Sequence, residues 1–274
     1  MAEEELAPKD EHKADEEEQL NADVTYEVIR RQGEQEMKRS TSALAWSGLA
    51  AGLSMGFSFV AQALLRSHLP EADWAPLVSK LGYAVGFLIV VLGSQQLFTE
   101  NTLTIVVPAL SRRSLATAAD VARVWGIVLA TNLIGAHLFA LAAARTTVFA
   151  AKTHEAFGVI GRQSIDGPFG TIFLQAIAAG WLIALMVWMI PGAEGAKFWV
   201  IVVMTWLVGA GGLAHVIAGS TDVLYLVFTG ELPWTTYAGR FLAPTLLGNT
   251  IGGVALVACL NHAQVVSGRA RHAA

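Results

Sequence analysis

One cysteine in 274 residues, Cys259, excludes a disulfide within the chain. Metal-ligand patterns are lacking too: the 7 histidines are scattered, and neither HExxH nor a paired Cys/His spacing occurs. There is no GxxxxGKS/T and no glycine fingerprint after a soluble strand, so nucleotide binding has no foothold. No nucleophile–base pair of the kind a hydrolase needs can be picked out. No enzyme, metal, cofactor or nucleic-acid partner is therefore expected.

Charge is also in short supply, and it is unevenly placed. Residues 1–40 hold 13 Asp/Glu and 6 Lys/Arg, a formal −7, whereas the remaining 234 residues carry only +3. The pI of about 6.0 thus describes neither part. The first 23 residues, "MAEEELAPKDEHKADEEEQLNAD", have no apolar core, so they are not read as a signal peptide. They are too polar and self-repelling to repay ordering, and disorder is expected. Residues 24–39 fit either an amphipathic helix with Val24, Val28 and Met37 as sparse apolar contacts, or a solvated linker.

What the chain has in abundance is apolar sequence: 54% apolar residues in long blocks. A membrane span needs ~20 of them in a row. Six windows qualify, at 40–66, 80–111, 119–144, 169–191, 196–228 and 240–263. The expected architecture is an all-α membrane protein in the lipid bilayer, with a tail at 1–39, a six-helix domain at 40–265 and a short tail at 266–274. Ten Lys/Arg flank the spans on the tail side, including Arg30, Arg31, Lys38, Arg39, Arg269 and Arg271, against six on the other. That bias places both termini in the cytoplasm. Glycines four apart, at Gly48/Gly52/Gly56, Gly82/Gly86 and Gly248/Gly252, suit close helix crossings.

The second and fifth windows are too long and too polar at mid-length for simple spans. The second breaks at "GSQQLFTEN", with Gln95, Gln96, Thr99, Glu100 and Asn101 together; the fifth breaks at "GAGGLAHVIAGS", where glycines precede His215. Each is the middle span of a three-span half. Paired interruptions at corresponding positions point to a mid-membrane permeation site. Irregular backbone survives at that depth only where protein or water satisfies it. An ionisable group beside such a break reads as functional, so His215 is the leading candidate. His137 has no break around it and reads as packing, and His262 lies at the end of its span, near water. Gln95 and Gln96 are expected to satisfy freed backbone groups, and Thr99 and Asn101 to fix the loop beside His215. Glu100 either pairs with donors of the protein or titrates in the pathway.

Six spans with breaks in the second and fifth, "LFTEN" at one, a histidine after a small-residue loop at the other and "PTLLGNTIGG" in the last resemble the formate/nitrite transporter family over residues 40–265. The likeness is closest to a bacterial inner-membrane branch with an "FTEN" break and an acidic tail. It implies a homopentamer in the inner membrane, with one pore per protomer and an aquaporin-like inverted 3+3 repeat. It also implies passage of small monovalent anions or their neutral acids. His215 becomes the central pore group, Thr99 its hydrogen-bond partner and Asn249 the sixth-span asparagine. Leu97 and Phe98 fall on one constriction, and Tyr83, Phe87 and Val208 on the remaining slit positions, where Tyr and Val replace the family's usual Phe.

Other departures concern charge. The family places an acid where this chain has Gln96 and a glycine where it has Glu100. Its fourth-span asparagine falls on Gly180, and its vestibule lysine near Ser164. A lost cation and a new carboxylate are expected to weaken anion capture. The competing expectations are a pore for neutral solutes or water, and a gated sensor whose acidic tail binds a cytoplasmic partner.

Overall fold

The computed structural model describes residues 22–272. Of the acidic run 1–23, residues 1–21, with their expected disorder and partner binding, lie outside them, whereas Ala22 and Asp23, expected to be disordered, open the first helix. All regular structure among the described residues is helical. In chain order it comprises α1 (Ala22–Lys38), α2 (Thr41–His68), α3 (Ala75–Leu92), α4 (Phe98–Thr104), α5 (Val106–Arg112), α6 (Leu115–Arg145) and α7 (Ala151–Ser164). It continues with α8 (Phe169–Met189), α9 (Lys197–Ala210), α10 (Val216–Thr229) and α11 (Trp234–Gly268). The helix that ends α11 runs on to His272, through most of the stretch expected to be a tail.

Helices α2, α3, α6, α8 and α11 are each long and apolar enough to cross a membrane, five among the described residues. The fifth expected window instead forms two helices of 14 residues each, α9 and α10, because its glycines interrupt it. The second window likewise yields α3 and the short pair α4–α5. Helix starts follow local chemistry: the Ser40 and Ser114 hydroxyls accept from Ala43 N (3.3 Å) and Thr117 N (3.1 Å) at the starts of α2 and α6.

Two helix crossings organise the core. Helix α2 lies along α6, and α8 lies along α11. The crossings are close because glycine faces backbone. A Cβ on Gly52 would run into the Asn132 carbonyl of α6, and one on Gly180 would run into the Asn249 carbonyl of α11. The second contact leaves no room for a side chain at position 180.

Residues 24–39 form the amphipathic helix rather than the linker. Its buried stripe is Tyr26, Ile29, Gly33 and Met37, at helical spacing, whereas Val24 is exposed. Gly33 packs against the Thr104 carbonyl and Pro108 of α4–α5. The Tyr26 hydroxyl reaches Ser111 Oγ at 2.8 Å and His262 Nδ1 at 2.6 Å, so the half-buried His262 is tied to α1. Arg123 donates to the carbonyls of Met37 (2.5 Å) and Arg39 (3.2 Å), and Arg112 pairs with Glu34 at 2.6 Å. On the outer face Glu27 pairs with Arg30 and Arg31. Their hydrogen bonds hold its carboxyl down at about 2. Helix α1 is therefore docked on one face of the bundle.

Candidate functional site

Breaking a helix inside an apolar bundle orphans N–H and C=O groups that water cannot reach. The two breaks resolve this with the same backbone path. After α3, Gly93 N donates to Ile89 O and Gln95 N to Val90 O, both at 2.9 Å. After α9, Gly211 N donates to Leu207 O at 2.9 Å and Leu213 N to Val208 O at 3.0 Å. The next bend is left-handed in both, at Ser94 (φ 51°) and Gly212 (φ 62°). Glycine adopts that conformation freely, while Ser94 bears some strain. Each path then ends on an extended residue just before the half-helix begins: Leu97 at φ −108°, ψ 131°, and His215 at φ −113°, ψ 128°.

One buried asparagine closes each break. Asn132 of α6 accepts from Phe98 N through Oδ1 (2.9 Å), and its Nδ2 donates to Gly48 O (2.7 Å) and Gln96 O (2.9 Å). Asn249 of α11 accepts from Val216 N (2.8 Å) and donates to Ala176 O (2.8 Å) and Ala214 O (2.9 Å). A carboxamide offers one acceptor and two donors, which is the set each break needs. The family resemblance points to Asn249, though not to this role. Asn132 was missed, although it follows Phe98 by 34 residues as Asn249 follows Val216 by 33. The glutamine expectation is corrected accordingly. The Gln96 side chain accepts from Asn101 Nδ2 (3.0 Å) instead, and Gln95 Oε1 is buried with no hydrogen-bond partner among the described residues.

His215 opens α10 and meets Thr99 of α4, with Nε2 2.8 Å from Thr99 Oγ1. Its Nδ1 lies 3.2 Å from Ala218 N, which can only donate. Nδ1 is therefore an acceptor, the ring is neutral, and its proton sits on Nε2, donating to Thr99 Oγ1. Charging the ring would require giving up the Ala218 bond. The ring is 1% exposed, and Phe87 meets it edge to face at 5.1 Å, with Tyr83 5.5 Å beyond. Tyr83, Phe87, Leu97, Phe98 and Val208 all belong to the buried apolar cluster around it.

Asn101 is buried and makes no hydrogen bond to His215. It bonds Gln96, and its carbonyl accepts from Trp125 Nε1 at 3.2 Å. Glu100 Oε1 is buried without a hydrogen-bond partner among the described residues, so the expected pairing with donors is not formed. His137 is a packing residue, bonded to Leu133 O at 2.7 Å and stacked on Trp234.

A cavity of about 310 Å³ reaches His215 from the face opposite α1, lined among others by Lys80, Tyr83, Ser164, Leu213 and Asp222. Ser164 does stand there, but the expected loss of positive charge is corrected: Lys80, from the first turns of α3, supplies an ammonium. Asp222 on α10, also unforeseen, supplies a carboxylate. An intramembrane charge was the signal that should have singled out Asp222.

The formate/nitrite transporter family matches residues 23–263. The inner membrane protein YfdC of Escherichia coli is 42% identical over 240 residues, covering 88% of this chain and 77% of its own. Among solved structures, an FNT family ion channel aligns with a TM-score of 0.75 at 20% identity, over 86% of this chain and 96% of that one. A pentameric formate channel with formate bound aligns with a TM-score of 0.67, also at 20% identity, over 81% and 97%. At that identity the two structures speak for the fold.

Proposed function

Because this multi-pass membrane protein belongs to the formate/nitrite transporter family, we propose that it is a channel, not an enzyme, for small monovalent weak acids of the formate, nitrite or hydrosulfide class. The observation that carries this reading is the meeting of two broken helices at the His215–Thr99 hydrogen bond, with a cavity leading to it.

In this reading Phe87, Tyr83 and Val208 form the greasy slit on the cavity side, and Leu97 and Phe98 the one on the α1 side. An anion entering between such rings loses hydration, which raises its proton affinity, since burial disfavours the charged form. It crosses as the neutral acid. The neutral His215 ring then serves as a hydrogen-bond donor acting through Thr99, whose own O–H is left to point at the solute. A charged imidazolium handing over its proton fits less well, because Nδ1 is occupied by Ala218 N.

The shared geometry of the two breaks supports two three-span halves in an inverted repeat: α2, α3–α5, α6, then α8, α9–α10, α11. The Lys/Arg bias supports α1 and both termini on the cytoplasmic side of a bacterial inner membrane. A homopentamer is proposed by likeness to the pentameric formate channel. The test is a flux panel in proteoliposomes. Formate, nitrite or hydrosulfide uptake is expected to exceed that of empty vesicles and to quicken at acidic pH. Osmotic swelling with uncharged solutes but no acid flux would favour the neutral-solute pore instead.

A further inference from the structure

The cavity outside His215 holds two opposite charges that do not touch. Lys80 Nζ donates to the buried Gln62 Oε1 at 3.0 Å, and Gln62 is in turn anchored by donating to Ser58 O at 3.2 Å. Asp222, 4% exposed, accepts from Ser164 Oγ at 2.8 Å. Neither forms an ion pair with the other or with any other described residue. Both line the same space. Each charge is thus held by a neutral partner on its own wall, with a gap between them.

We propose that Lys80 and Asp222 make this cavity a charge-balanced filter, in which Asp222 determines specificity by disfavouring free anions and favouring solutes that carry both a donor and an acceptor. The inference deepens the channel reading and rests on it. A lone ammonium lining a low-dielectric cavity concentrates anions. A carboxylate in the same cavity opposes that attraction over a similar distance, so a bare anion gains little on entering. A neutral acid fits differently: its carbonyl accepts from the ammonium and its O–H donates to the carboxylate, both charge-assisted bonds. A small amide, with a carbonyl and an N–H, matches the same two walls without being able to ionise.

The experiment uses full-length protein in proteoliposomes at pH 7.5, with formate as the conducted probe and formamide as the neutral competitor. Wild type is expected to show weak formate saturation and competition by formamide. Asp222→Asn is expected to lower the half-saturating formate concentration about tenfold and to weaken formamide competition. Lys80→Gln is expected to move formate in the opposite direction. Misfolding would reduce flux in both variants and could not produce opposite shifts, and size-exclusion profiles of the variants check assembly. Intact wild-type flux with unmoved half-saturation and unmoved competition in both variants overturns this inference alone. No wild-type flux above empty vesicles overturns the channel reading, and this inference with it.

Discussion

Replacing Asn132 by Ala deletes three hydrogen bonds at once and leaves Phe98 N and the carbonyls of Gly48 and Gln96 without that partner in a buried site. An orphaned buried group costs roughly 1–3 kcal/mol in soluble proteins. Hydrogen bonds inside membrane bundles average nearer ~0.6 kcal/mol, because the unfolded chain in lipid also finds partners. Three bonds between these limits give a destabilisation of about 2–5 kcal/mol, or roughly 5–15 °C in melting temperature for a domain of this size. Thermal unfolding of purified protein, followed by tryptophan fluorescence, reads it directly, and Trp125 sits against the loop as a local reporter. Asn249→Ala removes the matching three bonds and should fall within about 1 kcal/mol of Asn132→Ala. Asn132→Asp keeps an acceptor for Phe98 N but loses both donors, so it should not rescue. An Asn132→Ala melt indistinguishable from wild type would refute the assignment of this side chain as the closure of the break.

Other consequences are testable one by one. Gly52→Ala and Gly180→Ala place a Cβ against backbone at the two crossings and should each destabilise by about 1–3 kcal/mol, read by the same melt. Thr99→Val removes the partner of His215 Nε2 while keeping the volume, and should change formate flux while leaving assembly intact on a sizing column. Tyr26→Phe removes the bonds to Ser111 and His262, and should speed hydrogen exchange in α1 without altering exchange in α8. The Glu27 carboxyl, held below its ordinary value of 4.5 by Arg30 and Arg31, contributes stability above that value and loses it as pH falls toward about 2. Exchange protection of α1 attributable to this cluster should therefore be flat from about pH 6 to 8, then fall on acidification.

The membrane class was legible from the long apolar runs, and the two breaks because polar groups interrupt those runs; the pairing of His215 with Thr99 came from the family resemblance and not from the pattern. Asn132 was not legible by that logic. It lies inside the unbroken helix α6, and the break it serves is 34 residues upstream. Only the matching offset of Asn249 from its own break marks it. Lys80 was not singled out because the second window was started at residue 80, whereas the helix starts at Ala75 and folds Lys80 into the cavity wall. Of the expected α1 contacts Met37 is buried and Val28 partly so, but Val24 is exposed, and Tyr26 and Ile29 fill the groove. The expected pairing of Glu100 with donors is not formed among the described residues, where Asn132 and not this carboxylate accepts from the start of the half-helix at Phe98 N.

The central claim is conduction along a path through His215, and radiolabelled formate uptake at pH 6 tests it most directly. Wild-type proteoliposomes should fill severalfold faster than empty ones. His215→Phe, which removes the Nε2–H donated to Thr99, should bring uptake close to the empty-vesicle rate while the protein remains assembled. Undiminished uptake by assembled His215→Phe, or wild-type uptake equal to that of empty vesicles, would contradict it.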